Sequence, residues 1–181
     1  MPSAEYHSTV FMEFIESSCS GSYVGSRSTE RKTPMLTKKG KYGLKALIDL
    51  AGLGQGKTAF VSDIAARNNI PKKFLDAILL ELRNEGMLRS KKGPGGGYAL
   101  SKPASDIYIG QVIRALDGPL APIRCASRTA FEACEDCSDP EACQVRRSMT
   151  DVRDAMAAVL DNMTLEQFAA NTSDTTAERT A

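Results

Sequence analysis

Apolar residues recur at helical spacing over most of the chain between residues 37 and 170. The stripe that includes Leu44, Leu47 and Leu50 predicts a first helix over residues 37–53, and Thr37 is placed to cap it. A second, short helix is expected from a cap at Ser62 to about residue 69. A third is expected over residues 71–84. Pro71 stands near its first turn, and Gly86 follows its end.

The pattern then changes to two short extended runs, "MLRSK" and "GYALSK", joined by "KGPGGG", which predicts a β-hairpin. A fourth helix is expected over residues 107–116, followed by a cysteine-rich loop over about residues 120–143. Beyond the loop, Val145, Met149, Val152, Met156, Val159 and Met163 are spaced alternately by four and three residues. This spacing predicts a helix with an apolar a/d seam. Thr164 is expected to cap a last helix over residues 164–170.

These elements predict a mainly α fold with a small β-hairpin. Three helices followed by a hairpin is the order of a winged helix-turn-helix, whose helix-turn-helix would occupy residues 62–84. We therefore expect a DNA-binding domain over residues 35–103. Residues 104–170 would then hold the cysteine loop and a long C-terminal dimerisation helix.

Both ends of the chain lack this regular pattern. Residues 1–34 are expected to be a disordered extension or an overcalled start, with Met35 as the native first residue, and residues 171–181 a disordered tail. The chain has no apolar run of membrane-spanning length and no secretory signal. The expected location is therefore the cytoplasm, and the expected partners include no membrane.

The charge is unevenly distributed, although the formal net charge is only +1. Residues 35–102 hold 13 Lys and Arg against 5 Asp and Glu, whereas residues 103–181 hold 7 against 13. A basic block suits a polyanion such as double-stranded DNA, although charges spread over a solvated surface would give the same count. The residues expected to contact DNA lie in this block: Lys38, Lys72, Lys73, Asp76, Arg83, Lys91, Lys92, Gly93, Gly95, Gly96, Gly97 and Tyr98.

The glycine-rich stretch "GPGGGY" matches neither a phosphate-binding loop nor a dinucleotide-binding turn, because it lacks their lysine or helix and is followed by a strand. It is read as the tip of a wing whose bare backbone approaches DNA. The alternative is a hairpin turn that needs glycine only for its positive φ angles.

Cys125, Cys134, Cys137 and Cys143 lie within nineteen residues, a density that is typical of a metal site. Four thiolates suit either tetrahedral zinc or an iron–sulfur cluster, and the spacing leaves both open, as well as unligated or disulfide-bonded cysteines. No catalytic site is expected, because the folded region has no histidine and no nucleophile beside a base. Neither an enzymatic activity nor a small-molecule substrate is therefore predicted.

The segments "MLTKKGKYGLKALIDLA" and "DIAARNNIPKKFLDAILLELRNEGMLRSKKGPGGGYALSKPASDIYIGQVIRALDG", with the cysteines that follow, resemble the IscR/NsrR/RirA family of bacterial winged-helix regulators. The resemblance covers about residues 35–170. It implies a homodimeric transcription regulator, here expected to be a repressor, that binds a palindromic operator. It also implies an iron–sulfur cluster, [2Fe-2S] or [4Fe-4S], in the cysteine loop, which senses iron, iron–sulfur status, or redox or nitric oxide stress.

The resemblance carries over three of the four cysteines: Cys125, Cys137 and Cys143 match the family's pattern, and Cys134 has no counterpart in it. Some relatives take a further ligand from a histidine where this chain has Arg146, and others from an aspartate where it has Lys41. We therefore expect Cys134 to replace that ligand and to complete an all-thiolate site.

The a/d seam is expected to form a dimer interface, the alternative being packing within one chain. Because the cysteine loop directly precedes the seam, its ligation state would change the spacing of the two recognition helices. Two other functions remain open. The first is a winged-helix protein with a structural zinc or a thiol-redox switch, and the second is a small redox protein without DNA affinity.

Overall fold

The computed structural model describes residues 36–177, and for residues 172–177 only the helical backbone. The predictions for residues 1–34, and for Met35 as first residue, lie outside the described residues. No helix within residues 36–177 is long and apolar enough to cross a membrane.

The first three helices are α1 (Lys38–Gly52), α2 (Val61–Asn68) and α3 (Lys72–Asn84). Thr37 caps α1 as predicted, because its hydroxyl oxygen accepts hydrogen bonds from the backbone N–H groups of Lys39 and Gly40. The prediction that Ser62 caps α2 is wrong. The helix begins one residue before Ser62, the Phe60 carbonyl accepts its first hydrogen bonds, and the Ser62 hydroxyl contacts Asp63 instead.

The turns around α3 follow from residues that tolerate or favour the required backbone. Asn69 adopts a left-handed conformation, with φ of 51°, between α2 and α3. Gly86 has φ of 73° just past the end of α3, as its predicted role requires, and its N–H donates to the Arg83 carbonyl oxygen. These turns set the angle between α2 and α3 and direct the chain into the hairpin.

The hairpin consists of β1 (Leu88–Lys91) and β2 (Gly97–Leu100), paired antiparallel with Lys91 opposite Gly97. A third short segment joins it, because Ala59 and Tyr98 exchange backbone hydrogen bonds of 2.9 and 2.8 Å. The wing is therefore anchored to the segment that precedes α2.

The remaining helices are α4 (Ile109–Asp117), α5 (Gln144–Leu160) and α6 (Leu165–Ala177), with 3-10 turns at Ala104–Asp106 and Arg124–Ala126. The fourth helix begins two residues later than predicted. Ile107 instead accepts a 2.7 Å hydrogen bond from the N–H of Leu165, beside a bridge between Tyr108 and Thr164.

Two predicted helix ends differ from the structure. The seam helix α5 ends at Leu160, so Met163 lies in the connection to α6 and packs against the core. Thr164 caps α6 as predicted, its hydroxyl accepting from Gln167 N–H. The helix runs past residue 170 to Ala177, since no glycine or proline interrupts residues 171–177. Residues 178–181 lie outside the described part.

One hydrophobic core includes residues from both sides of the predicted boundary at residues 103–104. α1 packs against α2, α3, α4 and α6. Leu47 of α1, Leu79 of α3, Val112 of α4 and Leu165 of α6 are all fully buried in the same cluster. The helices that carry the residues predicted to contact DNA thus share their packing with α4, which precedes the cysteine loop, and with α6.

Candidate metal centre and nucleic-acid interface

The four cysteines of the loop are brought together between the end of α4 and the start of α5. Cys125 lies in the 3-10 turn Arg124–Ala126 and is buried, whereas Cys134, Cys137 and Cys143 are half-buried. The Cys125 thiol is within hydrogen-bonding reach of Cys134, and the Cys137 thiol of both Cys134 and Cys143. The sulfurs of Cys134 and Cys137 and a carboxylate oxygen of Asp136 all lie within 4.8 Å of one another.

Three of the four thiols have shifted pKa values, and each shift has an identifiable cause. Burial raises the pKa of Cys125, and the neighbouring Cys134 thiol adds to the shift. Burial, followed by hydrogen bonding to Cys143 and Cys134, raises the pKa of Cys137 to about 11. The pKa of Cys143 is lowered instead, chiefly because the backbone N–H of Arg146 donates to it. Cys125 and Cys137 therefore hold their thiol protons more tightly than a free cysteine does, and a bound metal would have to displace those protons.

Cys143 is the N-cap of α5: its sulfur accepts a 3.5 Å hydrogen bond from Arg146 N–H. The positive end of the helix dipole favours a thiolate at this position. A candidate ligand atom that also caps a helix would connect the chemistry of the loop to the start of α5.

Two arginines of α5 that the sequence did not single out as site residues hold the loop. Arg146 Nε donates to the Cys125 carbonyl at 3.0 Å, and Arg153 Nη1 donates to the Ala126 carbonyl at 2.5 Å. Their side chains are only 25% and 12% exposed. No local pattern in the sequence reveals these contacts, because they join residues 21 and 27 positions apart.

The donor set fits the group that the sequence predicts. Four sulfurs from one short segment are a usual ligand set for either an iron–sulfur cluster or zinc, and Cys134 lies among the other three. Neither Arg146 nor Lys41 offers a ligand atom suited to iron or zinc, because both side chains are cationic donors without a free lone pair.

The residues predicted to contact DNA lie on α1, on α3 and on the hairpin with its turn. Lys38 is exposed at the start of α1, and Lys72, Lys73, Asp76 and Arg83 are exposed along α3. Lys91 ends β1, Lys92 follows it, and both are exposed. Tyr98 is half-buried on β2 and pairs with Ala59.

The backbone of the wing requires glycine at these positions whether or not DNA is bound. A Cβ atom on Gly96 would meet the carbonyl oxygens of Lys91 and Gly93, and one on Gly97 would collide with the backbone of Ala59. Gly93 and Gly95 face open space but have φ angles of 93° and 70°. The tight turn and its packing thus account for the glycines, so the DNA contact predicted for the wing is supported by the exposed lysines around the turn.

A further basic residue lies beside the wing. Lys57 is exposed and precedes Thr58, whose hydroxyl donates a 2.7 Å hydrogen bond to the Gly95 carbonyl at the wing tip. Lys57 was not predicted as a contact residue because the segment reaches the wing only through the bridge between Ala59 and Tyr98.

Within the described part of the chain, no residue of α5 is buried. Val145, Val152 and Val159, one seven-residue row of the predicted seam, are 63, 43 and 58% exposed. An apolar row that stays this exposed in one chain favours a partner over packing within the chain.

The model of the Rrf2 family, described as "Iron-dependent Transcriptional regulator", matches residues 36–171. Among curated proteins, a putative rrf2-like HTH-type transcriptional regulator of Rhodobacter capsulatus is 40% identical over 139 residues, which cover 75% of this chain and 93% of that protein. The HTH-type transcriptional regulator IscR of Pectobacterium carotovorum is 34% identical over 136 residues, or 75% and 79% of the two chains.

Solved structures with the same fold include CymR, the global cysteine regulator of B. subtilis. It superposes with a TM-score of 0.62 at 34% identity and covers 75% of this chain and 95% of its own. IscR of T. potens superposes with a TM-score of 0.58 at 26% identity, covering 75% and 86%. These similarities confirm the predicted winged helix-turn-helix fold.

Proposed function

The chain belongs to the Rrf2 family of transcription regulators, and we propose that it is a homodimeric repressor whose operator affinity depends on an iron–sulfur cluster held by four cysteines. Family membership establishes a DNA-binding regulator rather than an enzyme. The proposed location is the cytoplasm, where the bacterial chromosome lies. The observation that carries the proposal is the gathering of Cys125, Cys134, Cys137 and Cys143 at the N-terminus of α5.

Each cysteine has a distinct part in the proposed site. Cys125 supplies a buried thiol from the 3-10 turn, and Cys134 and Cys137 supply thiols from the loop. Cys143 supplies the sulfur that caps α5. When bound, the cluster would supply a redox-active or labile inorganic group that iron supply, oxidants or nitric oxide can alter.

The path from the site to DNA would run through α5. A metal bound by Cys143 would use the same sulfur that accepts the hydrogen bond from the Arg146 backbone N–H. The loop is also held against α5 by the hydrogen bond from Arg153 to the Ala126 carbonyl. If the exposed valine row joins two copies, a change at the start of α5 alters how the two α3 helices are spaced. A palindromic operator requires one particular spacing.

The cofactor is tested by purifying the protein anaerobically and measuring iron, acid-labile sulfide and zinc, with native mass spectrometry for the mass of the dimer. Iron and sulfide in a ratio near one, bound to a dimer, are the expected result. Zinc without sulfide would reject the cluster.

The switch is tested by measuring operator binding of the cluster-loaded and cluster-free protein at the same salt concentration, on a site selected from random duplexes. Different affinities are expected, and equal affinities would reject the switch. Lys73→Ala is expected to weaken binding to all duplexes alike. The slope of log affinity against log salt concentration is expected to fall by the amount that corresponds to about one phosphate contact.

A second candidate function, a structural zinc or a thiol-redox switch, rests on the close approach of the Cys134 and Cys137 sulfurs, within 4.8 Å. Tetrahedral zinc with Zn–S bonds of about 2.3 Å separates its sulfurs by roughly 3.8 Å. One similar structure is of the oxidised form of CymR from Staphylococcus aureus. The metal and sulfide analysis above separates this candidate from the cluster.

A further inference from the structure

The Arg146 side chain contacts both ends of the cysteine segment. At the beginning of the segment, its Nε donates to the Cys125 carbonyl oxygen at 3.0 Å. At the end, its Nη1 donates to the Pro140 carbonyl at 3.3 Å and forms an ion pair with Glu141 at 2.8 Å. Its guanidinium carbon also lies 5.5 Å from the ring centroid of Phe131 in the middle of the segment.

These contacts bridge a segment that has little regular structure. Residues 127–143, between the 3-10 turn and α5, form neither helix nor strand. Closing such a loop costs conformational entropy, and directional hydrogen bonds to backbone carbonyls at both ends offset that cost.

The Cys125 turn is contacted by two arginines of α5. Cys125 is only 4% exposed, and Arg153 holds the adjacent Ala126 carbonyl from the same helix. Both arginines project from α5, whose N-cap is Cys143. The first and last cysteines of the loop are thus both held by α5.

We propose that Arg146 is a positioning residue that holds Cys125 in place for metal binding by tying its 3-10 turn to the first turns of α5. The inference rests on the proposed function in that it takes the four cysteines as the metal ligands. Arg146 itself does not touch the metal. Its planar guanidinium reaches two carbonyls in different directions, a geometry that a lysine ammonium does not reproduce.

The first test needs no metal. Each cysteine of the metal-free protein is alkylated with iodoacetamide at fixed pH, and peptide mass spectrometry gives its rate. In the wild type, Cys125 is expected to react slowly, because it is buried. Arg146→Met is expected to speed its alkylation by about tenfold, since a charge-assisted hydrogen bond is lost.

Two variants make this test specific. Arg147→Met removes an exposed arginine from the next position of α5 and is expected to leave the rate unchanged. Arg146→Lys keeps the positive charge but cannot reach both carbonyls. It is therefore expected to speed the alkylation of Cys125 as much as Arg146→Met does. An unchanged Cys125 rate in Arg146→Met, or a wild-type rate in Arg146→Lys, would overturn the inference. Circular dichroism checks that each variant folds, and Arg146→Gln replaces any variant that does not.

The second test uses Co²⁺ as a spectroscopic probe of thiolate ligation. Arg146→Met and Arg146→Lys are expected to bind Co²⁺ about 10–100-fold more weakly than the wild type and Arg147→Met. Affinities equal to the wild type would contradict a positioning role. If the wild type itself shows no thiolate-to-Co²⁺ absorption band, the proposed metal site fails, while the alkylation rates still decide the role of Arg146.

Discussion

Thr37 and Asp117, 80 positions apart in the chain, hold the start of α1 against the end of α4. The backbone N–H of Thr37 donates to Asp117 Oδ2 at 2.8 Å, and its hydroxyl donates to Oδ1 at 2.5 Å. The same hydroxyl oxygen accepts from the first turn of α1. One carboxylate therefore orients the cap of the helix at the centre of the core and precedes the cysteine loop by only a few residues.

Removing this carboxylate is expected to destabilise the fold. Asp117→Ala leaves the Thr37 N–H and hydroxyl without their acceptor and should lower the free energy of unfolding by about 1–3 kcal/mol. Urea denaturation followed by circular dichroism measures it. Asp76→Ala removes an exposed aspartate of α3 and should change stability by less than about 0.5 kcal/mol. Equal stability of the two variants would contradict the structural role of Asp117.

The ion pair between α4 and the end of α5 gives a pH-dependent prediction. Arg114 donates to both carboxylate oxygens of Asp161, at 2.5 and 2.9 Å, and holds the pKa of Asp161 below its ordinary value of 3.8. Because the pKa is lower in the folded state, the pair stabilises the protein above pH 3.8. This contribution disappears as the pH falls through the folded-state pKa.

Asp161→Asn should therefore cost about 0.5 kcal/mol at pH 7, a small value because both side chains are more than a third exposed. The difference between variant and wild type should vanish in acid and shrink in high salt. Thermal unfolding as a function of pH measures it. A difference that stays constant from pH 7 to pH 2 would show that the pair does not act through charge.

The close approach between the wing and the segment before α2 predicts an unequal effect of two glycine substitutions. Gly93→Ala adds a methyl group in open space and costs only the strain of its positive φ, whereas Gly97→Ala also forces the new Cβ into the Ala59 backbone. Gly97→Ala should therefore lose about 1–3 kcal/mol more stability. Because the wing shifts, it should also bind DNA more weakly, as measured by fluorescence anisotropy. Equal losses would contradict the tight packing at Gly97.

The role of Cys134 is tested by its removal. Cys134→Ser should lower the iron and sulfide of the anaerobically purified protein as strongly as Cys137→Ser, because both sulfurs lie in the same cluster of thiols. Elemental analysis and the visible absorption spectrum measure it. If Cys134→Ser retains the metal content of the wild type while Cys137→Ser loses it, Cys134 is not a ligand.

The exposed valine row of α5 predicts the oligomeric state. Val152→Asp places a charge in the middle of the row and should convert a dimer into monomers at micromolar concentration. Arg147→Asp changes an exposed residue about 140° around the helix and should leave the dimer intact. Analytical ultracentrifugation measures both masses. A dimeric Val152→Asp variant would place the interface elsewhere.

Local signals predicted much of the fold, and contacts between distant residues account for what was missed. Thr37 and Thr164 were predictable as caps because a hydroxyl stands just before an apolar stripe. The start of α2 was not, because Phe60 caps it without any side-chain hydrogen bond. The bridge at Ala59 was not predictable either, because it exists only through its pairing with the distant Tyr98.

The candidate site, too, was predictable only where its residues lie close together in the sequence. The density of cysteines predicts a metal site, since the four candidate ligands come from one short segment. The arginines that hold that segment bind backbone carbonyls, which are the same in every sequence, so no residue pattern marks the contact of Arg146 with Cys125.

The shared core has a consequence for how such regulators diversify. Because Leu165 is buried with the same residues that support α3, the half that reads DNA cannot be exchanged for that of another protein as a self-contained module. The stretch between α4 and α5, by contrast, contributes little to that core and can be rewritten residue by residue. If this stretch senses the stimulus, as proposed, evolution can change that stimulus by altering about twenty-six positions while the rest of the fold is inherited intact.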